Sequence, residues 1–490
     1  MAFLQAAANR QASDPVPLTI DHSVKLDDTN AEYLYKTFSA VGDRRCFTIS
    51  FWHQRTQLGL NGNQGTDTSE RLFDWWDGSS LGTSCLFTTD DKLIFDLNSG
   101  SNYATSGHQF RDPLAWYHIV LAVDTKQSNQ EIRVNMYVNG ELDQTKYGNF
   151  NTYIPKNTYL PWNTANRLDI GRFHNNDSFV GGHFAEFHHV DGQQLEATDF
   201  GMTDPTTGQW IPRQYMGGHG NNGFYLDFDA SGDLGNDVSG NNHDFSLNQL
   251  AAIDQSSSTP TNNFCKINSL VSQGLVAFDV RAGGTQVLTG GNMSHVGSIA
   301  VNQGKWYWEG VQTSVTGTNY LGIGISAVDA DQGNSANPLG SSMTGWWTAD
   351  SAYHESTSQS AQNVSYNTGW TGMDAGTIWS VALNCDTDPY TMTIRKNNSV
   401  PGTAANNTNR SVGTYIGPSS STLRQTPVVP LITVYANSSG DTYHNFGCPH
   451  VSALAGGNAD ANGYGNFKYA PPSGYYAICT KNLAQYGGEG

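Results

Sequence analysis

Residues 45–56 read "RCFTISFWHQRT", which places Cys46, Thr48, Ser50 and Trp52 on one face of an extended chain and Phe47, Ile49 and Phe51 on the other. A repeat of two residues suits a strand with one face in a core and cannot be satisfied by a helix, whose period is 3.6. The same text recurs as "SCLFTT", "KLIFDLN", "WYHIVLAVDT", "IRVNMYVNGELDQ", "NRLDIGRF" and "FVGGHFAEFHHVDGQQL". Turn residues such as "VNGE" and "DTKQSNQE" stand between them and predict antiparallel hairpins, with Asn139-Gly140 making a turn at positive φ. A second series follows: "GKWYWEGVQTS", "NYLGIGISAVDA", "GTIWSVALNCDT", "YTMTIRKNN" and "PVVPLITVYANSSGDTYHNFG".

Composition agrees with many short strands. Only 14% of the 490 residues are charged, and 53 are glycine. The formal net charge of -18 repels phosphate backbones and anionic lipid surfaces, which argues against a nucleic-acid partner. No stretch has the length and apolarity of a membrane span, and "MAFLQAAANRQASDPVPLTI" is too interrupted for a signal peptide, so synthesis in a cytosol without membrane insertion is expected. The six cysteines show no C-x-x-C spacing; buried free thiols are expected.

The first series resembles the laminin-G or concanavalin-type lectin sandwich, a two-sheet jelly roll, most clearly in Trp116-Tyr117-His118 followed by Tyr137-Val138-Asn139-Gly140. The second series resembles the SPRY domain at "GKWYWEG", "NYLGIGIS", "IWSVALNCDTDPYTMTIRKNN" and "PVVPLITVY". Its hairpin departs from that family at "CDTDPYTMTI", so binding-loop geometry does not carry over. The expected fold is all-β, two consecutive antiparallel β-sandwiches: an N-terminal arm over residues 1–18, a laminin-G/concanavalin-like sandwich over 19–252, a polar linker over 253–265, and a SPRY-like sandwich with a C-terminal extension over 266–490. The linker "TPTNNFC" and the closing "FKYAPPSGYYAICTKNL" are similar to virion structural proteins of marine tailed bacteriophages. That resemblance implies a tail fibre or capsid-attached fibre on the virion surface, anchored by the arm. It also implies a homo-oligomer such as a trimer, with other virion proteins and a host-surface glycan or protein as partners. A purely structural or decorative virion role and a glycan-degrading enzyme are the alternatives.

Five sets of residues bear on chemistry. In "GKWYWEG", Trp306 and Trp308 face one way and Tyr307 the other, and core packing is expected for the strand. The doublets Trp75-Trp76 and Trp346-Trp347 lie in text rich in Gly, Asp and Thr, where one ring of each would be free to stack on a sugar. "YLDFDASGDLGNDVSGNNHDF" gathers hard oxygen donors of the kind calcium takes, although Leu234 stands where an EF-hand requires Gly. Its "D-x-S-G-N" phrase resembles a calcium-touching loop of some laminin-G-like proteins and implies Asp237 and Asn241 as ligands. On a regular strand, His183, Ala185, Phe187 and His189 share one face, with His188 opposite beside Glu186, which gives no metal-ligand spacing. "GSSLG" at Ser80 has the letters of a nucleophile elbow without the strand-to-helix context that motif needs. No E-x-D-x-E run of the glycosidase type occurs, and no catalytic residue is expected.

Overall fold

The computed structural model describes residues 16–56, 58, 69–79, 82–99, 103–143, 153–175, 177–274, 279–289, 293–314, 320–328, 344–347, 352–355, 363–364, 374–387, 390–399, 414–416, 427–435 and 440–488. Within them lie four large β-sheets, paired as two sandwiches. In the first sandwich the order of one sheet is Glu141–Leu142, Val134–Val138, Tyr117–Asp124, Cys46–Arg55, Gly182–Asp191, Ser23–Leu26 and Gln255–Ser256, with Phe224–Leu226 also against Gly182–Asp191. The facing sheet runs Ser246–Asn248, Tyr33–Thr37, Arg167–Ile170, Glu70–Trp76, Gly82–Phe87, Leu93–Asp96 and Tyr103–Thr105.

The alternation read in residues 45–56 is realised: Phe47, Ile49 and Phe51 enter the core with Phe73, Trp75, Phe95 and Trp162, while Trp52 packs on the opposite face with Ile20 and Ala185. Asn139 (φ 49°) and Gly140 (φ 86°) make the expected tight turn. One strand breaks its own alternation. In Gly182–Asp191 the register against Cys46–Arg55 shifts between Ala185 and His188, and Glu186 sits at φ 50°. This bulge reverses the parity of the strand. Ala185 therefore lies on the outer face and Phe187 in the core, contrary to the shared face expected for them. His189 meets Trp162 inside, and His188 meets Phe200 and Tyr215 outside.

In the second sandwich one sheet is ordered Ile267–Gly274, Met293–Gly297, Val428–Tyr435, Tyr320–Ala327, Thr344–Trp347, Ala352–Glu355 and Asn363–Val364. The other is Asp279–Arg281, Gln286–Thr289, Gly440–Asn445, Lys305–Gln312, Ile378–Asn384, Thr391–Lys396 and Thr414–Ile416. Trp306 and Trp308 are both 0% exposed between these sheets. The other face of their strand is also covered. Tyr307 packs with Phe264, Phe467 and Cys479, and Tyr476–Ala477 runs parallel to the strand's edge. Glu309, 0% exposed, accepts from the Tyr307 hydroxyl at 2.8 Å and from the amides of Lys468 and Tyr469 at 2.7 and 2.9 Å. The rings in "GKWYWEG" are thus core on both sides, and the acid pins the C-terminal extension.

Residues 253–265, expected as a polar linker, are not a free spacer. Gln255–Ser256 pairs with Ser23–Leu26, Asp254, Ser258 and Thr259 are buried, and Phe264 bridges to Cys479. The end of the expected arm is likewise tied down, since Pro17 bridges to Arg213 and the Leu18 amide donates to the Pro212 carbonyl at 3.0 Å. Residues 1–15 of that arm lie outside the described residues. All six cysteines are free and buried.

Candidate functional site

The outer face of the first sandwich's seven-stranded sheet carries an ordered row of polar side chains. Because Leu34, Leu168, Ile170, Phe73, Trp75, Cys85 and Phe95 point into the core, alternation turns their neighbours outward. Register then aligns Tyr35 with Asp169, Asp169 with Asp74, Asp74 with Ser84, and Ser84 with Asp96. Directly opposed side chains in such pairs stand close enough to interact.

Two groups form along this row. Arg167 donates from Nε and Nη2 to Asp169 at 2.7–3.0 Å, and Arg172 donates to the same carboxylate at 2.9 Å. The two guanidiniums lie over tyrosine rings, Arg167 4.1 Å from Tyr35 and Arg172 3.8 Å from Tyr33. Arg167 keeps 32% of its side chain exposed, whereas Asp169 has none. In the second group His174 donates from Nδ1 to Asp74 at 2.6 Å and stacks on Trp76, with centroids 4.9 Å apart and planes 4° from parallel. Burial pushes the Asp74 carboxyl above its usual range, and the His174 hydrogen bond opposes that shift. Arg71 lies 4.0 Å over the Phe173 ring and donates to the Ser84 hydroxyl at 2.6 Å. Aromatic rings, half-buried at Tyr35, Trp76 and Phe173 and buried at Tyr33, thus alternate with planar, charge-assisted donors and acceptors, of which Asp169, Asp74 and Arg172 are buried.

Of the aromatic residues singled out in the sequence, only Trp76 joins this surface. Trp75 is a correction: it is fully buried, stacked on Phe38 at 4.6 Å and set against Trp162 at 4.6 Å, so it offers a ligand nothing. Trp346 and Trp347 occupy strand Thr344–Trp347, paired with Tyr320–Ala327 and Ala352–Glu355, rather than a loop; their side chains lie outside the described residues. Ser80 does so too.

The Asp-rich segment does not fit calcium. Asp237 is 6% exposed and spends both oxygens on backbone amides, Oδ1 accepting from Tyr225 and Ser239 at 2.9 Å and Oδ2 from His243 at 2.8 Å. Asn241 turns its Nδ2, not its oxygen, inward, donating to the carbonyls of Gly220 and Gly223 at 2.6 and 2.8 Å. Among the described residues no three His, Cys, Asp or Glu side chains are grouped to hold a metal. The "D-x-S-G-N" phrase is turn chemistry.

One buried Ser-His contact was not foreseen. Ser50 Oγ lies 2.9 Å from His118 Nε2, and Trp210 Nε1 lies 3.0 Å from His118 Nδ1. An indole N–H can only donate, so Nδ1 accepts and the single ring proton resides on Nε2. His118 therefore donates to Ser50 and has no lone pair there to take its proton. Burial holds its pKa down to about 3. This contact fastens the Trp210 segment to the sheet.

Residues 27–197 match the family model Laminin_G_3, described as the Concanavalin A-like lectin/glucanases superfamily. Among solved structures, the chain is similar to the SPRY domain of human HERC1, at 14% identity over 37% of this chain and 97% of that one, with a TM-score of 0.25. It is also similar to domains LG4-5 of the mouse laminin alpha1 chain, at 10% identity over 88% of this chain and 90% of that one, with a TM-score of 0.27. No curated protein matches the chain. The matched residues 27–197 contain Tyr33, Tyr35, Arg71, Asp74, Trp76, Asp169, Arg172 and His174.

Proposed function

We propose that this chain is a bacteriophage virion surface protein, of the tail-fibre or capsid-attached-fibre type, that acts by binding a host-surface glycan. The part-exposed Tyr35, Trp76, Arg167 and His174, held in place by the buried row Asp169, Asp74 and Ser84 beneath them, carry the binding reading. Pyranose rings present apolar C–H faces that settle on aromatic rings, while sugar hydroxyls accept from the exposed part of the Arg167 guanidinium. The virion assignment rests on the linker and C-terminal phrase in the sequence. Other virion proteins and further copies of the chain, as in a trimer, are its assembly partners. Weak single-site affinity would then be multiplied by valency.

The test is a glycan array probed with the chain displayed at high valency, using the native protein, Trp76→Ala and Arg167→Ala. Each substitution is expected to lower retention by roughly tenfold or more, about 1.4 kcal/mol per site, with the β-sheet circular dichroism unchanged. Native protein that retains no glycan, or variants that bind as native does, would sink the reading. Imaging particles with this protein labelled tests the virion placement separately.

A further inference from the structure

Two lysines are buried at the seam between the sandwiches, and their surroundings differ. Lys25 of the first sandwich, 0% exposed, donates to the carbonyls of Ile253 and Pro449 at 3.5 and 3.1 Å, and the carboxyls of Asp254, Glu32 and Asp27 favour its charge. Lys266 of the second sandwich is 5% exposed, and the groups that act on its charge are the Cys448 thiol and Lys25, neither of them a carboxylate. Its Nζ contacts Gln54 Oε1 of strand Cys46–Arg55, lies 3.3 Å from His183 Nδ1 and stands 5.9 Å from the Trp116 ring centroid. An ammonium is costly in such a place, and a neutral nitrogen is not.

The partners of Lys266 are held from behind. Gln54 is 0% exposed, and its Nε2 donates to the Leu114 carbonyl at 2.5 Å and to Asn263 Oδ1 at 3.4 Å, which leaves the carbonyl end of the amide to the lysine. His183 is 1% exposed, and Lys266 is the one hydrogen-bond partner of its ring among the described residues. Toward that donor Nδ1 presents its lone pair. Gly283 and Gly284, at φ 64° and 85°, press the backbone of the second sandwich onto the group: a Cβ on Gly283 would stand 2.2 Å from His183 Cε1, and one on Gly284 3.0 Å from Lys266 Cβ. An amine, an amide and an imidazole are thus brought together out of water, the amine from one sandwich and the other two from its neighbour.

We propose that Lys266 and Gln54 condense into an isopeptide bond that ties the two sandwiches covalently, with His183 as the base. Contact with Oε1 leaves the amine one bond from the carbon, where near-attack geometry asks for about 3–3.5 Å, and a small turn of the amide about its soft last torsion presents the carbon's face. The Lys266 nitrogen attacks Gln54 Cδ, forming the C–N bond and sending the carbonyl electron pair to Oε1. His183 Nδ1 takes the surplus proton from that nitrogen. The carbonyl then re-forms as the Cδ–Nε2 bond breaks, and His183 returns the proton to the departing nitrogen, which leaves as ammonia. A primary amide and an amine become a secondary amide and ammonia, and nothing is oxidised or reduced. Burial favours the reacting forms, lowering the Lys266 ammonium to about 7 and holding His183 well below the usual histidine range. The product buries no charge, and its N–H faces His183 Nδ1. It closes a loop between positions 212 apart, so that neither sandwich can leave the other.

Intact-mass spectrometry of the denatured full chain reads the bond directly. The native chain is expected to be light by one ammonia, about 17 Da, and a tryptic digest should yield a branched peptide that joins Gln54 to Lys266. Lys266→Met and Gln54→Met should each restore the full mass. His183→Phe should form the bond more slowly, seen as full mass in fresh protein that falls during incubation at neutral pH; formation at the native rate would remove His183 from the reaction. Native protein that keeps its full mass through the same incubation, or an ammonia deficit that persists in Lys266→Met or maps to other residues, would overturn the proposal. The native chain decides this by itself, so a variant that fails to fold does not weaken the test.

Discussion

Replacing Glu309 tests whether the acid of "GKWYWEG" holds the C-terminal extension against the second sandwich. Its carboxylate takes three donors at 2.7–2.9 Å, from Tyr307, Lys468 and Tyr469, with no exposure to water. A hydrogen bond to a charged group contributes about 1.5–3 kcal/mol, and a buried donor left unpaired costs about 1–3 kcal/mol. Three such losses are not additive, so Glu309→Ala is expected to cost about 3–5 kcal/mol. Glu309→Gln can keep its carbonyl at Oε1, where Tyr307 and Tyr469 donate, and sets an NH₂ only against the Lys468 amide. It should cost about 1–2 kcal/mol. Urea unfolding measures both, and hydrogen exchange gives the location: the amides of Lys468 and Tyr469 should lose protection in the Ala variant, and Lys468 alone in the Gln variant. A cost for Ala below about 1 kcal/mol, or unchanged exchange at these two amides, would refute the argument. The extension would then be held by the edge-to-face contact of Tyr307 with Phe467 at 5.1 Å.

Three further outcomes are expected. Asp237→Ala removes the acceptor of three backbone amides and should cost about 2–3 kcal/mol equally in calcium and in chelator; a calcium-dependent melting temperature in the native chain would revive the metal site. Gly310→Ala puts a Cβ 2.0 Å from Trp379 Cζ2 in a closed core and should cost at least about 1–3 kcal/mol by denaturant titration, with a neutral result showing that the Trp379 ring can retreat. Trp75→Ala should cost about 3–5 kcal/mol while Trp76→Ala stays within about 1 kcal/mol, and equal costs would contradict their opposite placement.

Strands were legible because successive side chains leave an extended chain on opposite faces, and residues 45–56 and 304–310 sort by face with a period of two although both strands are covered on both faces. The Asn139-Gly140 turn was legible because its dihedral demand selects residue types. Part of the outer-face site was also written locally: Arg167 and Asp169, like Asp74 and Trp76, are two apart and so share a face. That Asp169 stands opposite Asp74 was not, because neighbours in a sheet are set by topology across about a hundred residues. The bulge at Glu186 escaped for a different reason. No glycine marks it, and one inserted residue silently exchanges the faces of everything that follows.

The seam shows where composition misleads. Ser, Thr and Asn in residues 253–265 read as a solvated spacer, because polar short side chains are what spacers contain. Here they are polar because they are buried: Thr259 donates to the Ile20 carbonyl at 2.8 Å, Ser258 Oγ lies 3.3 Å from the Phe264 amide, and Asn262 Oδ1 accepts from the Lys481 amide at 3.2 Å. Water and a neighbouring backbone ask the same chemistry of a side chain, so a sequence cannot distinguish them by residue type. What does separate them is their company: Lys266, the next residue, and Lys25, whose strand pairs with Gln255–Ser256, are both buried, each with an acceptor on the other sandwich. The joint is therefore a place where each half supplies an acceptor to the other's buried lysine, Pro449 to Lys25 and Gln54 to Lys266, while Lys25 also keeps the Ile253 carbonyl and the Asp254 charge on its own side.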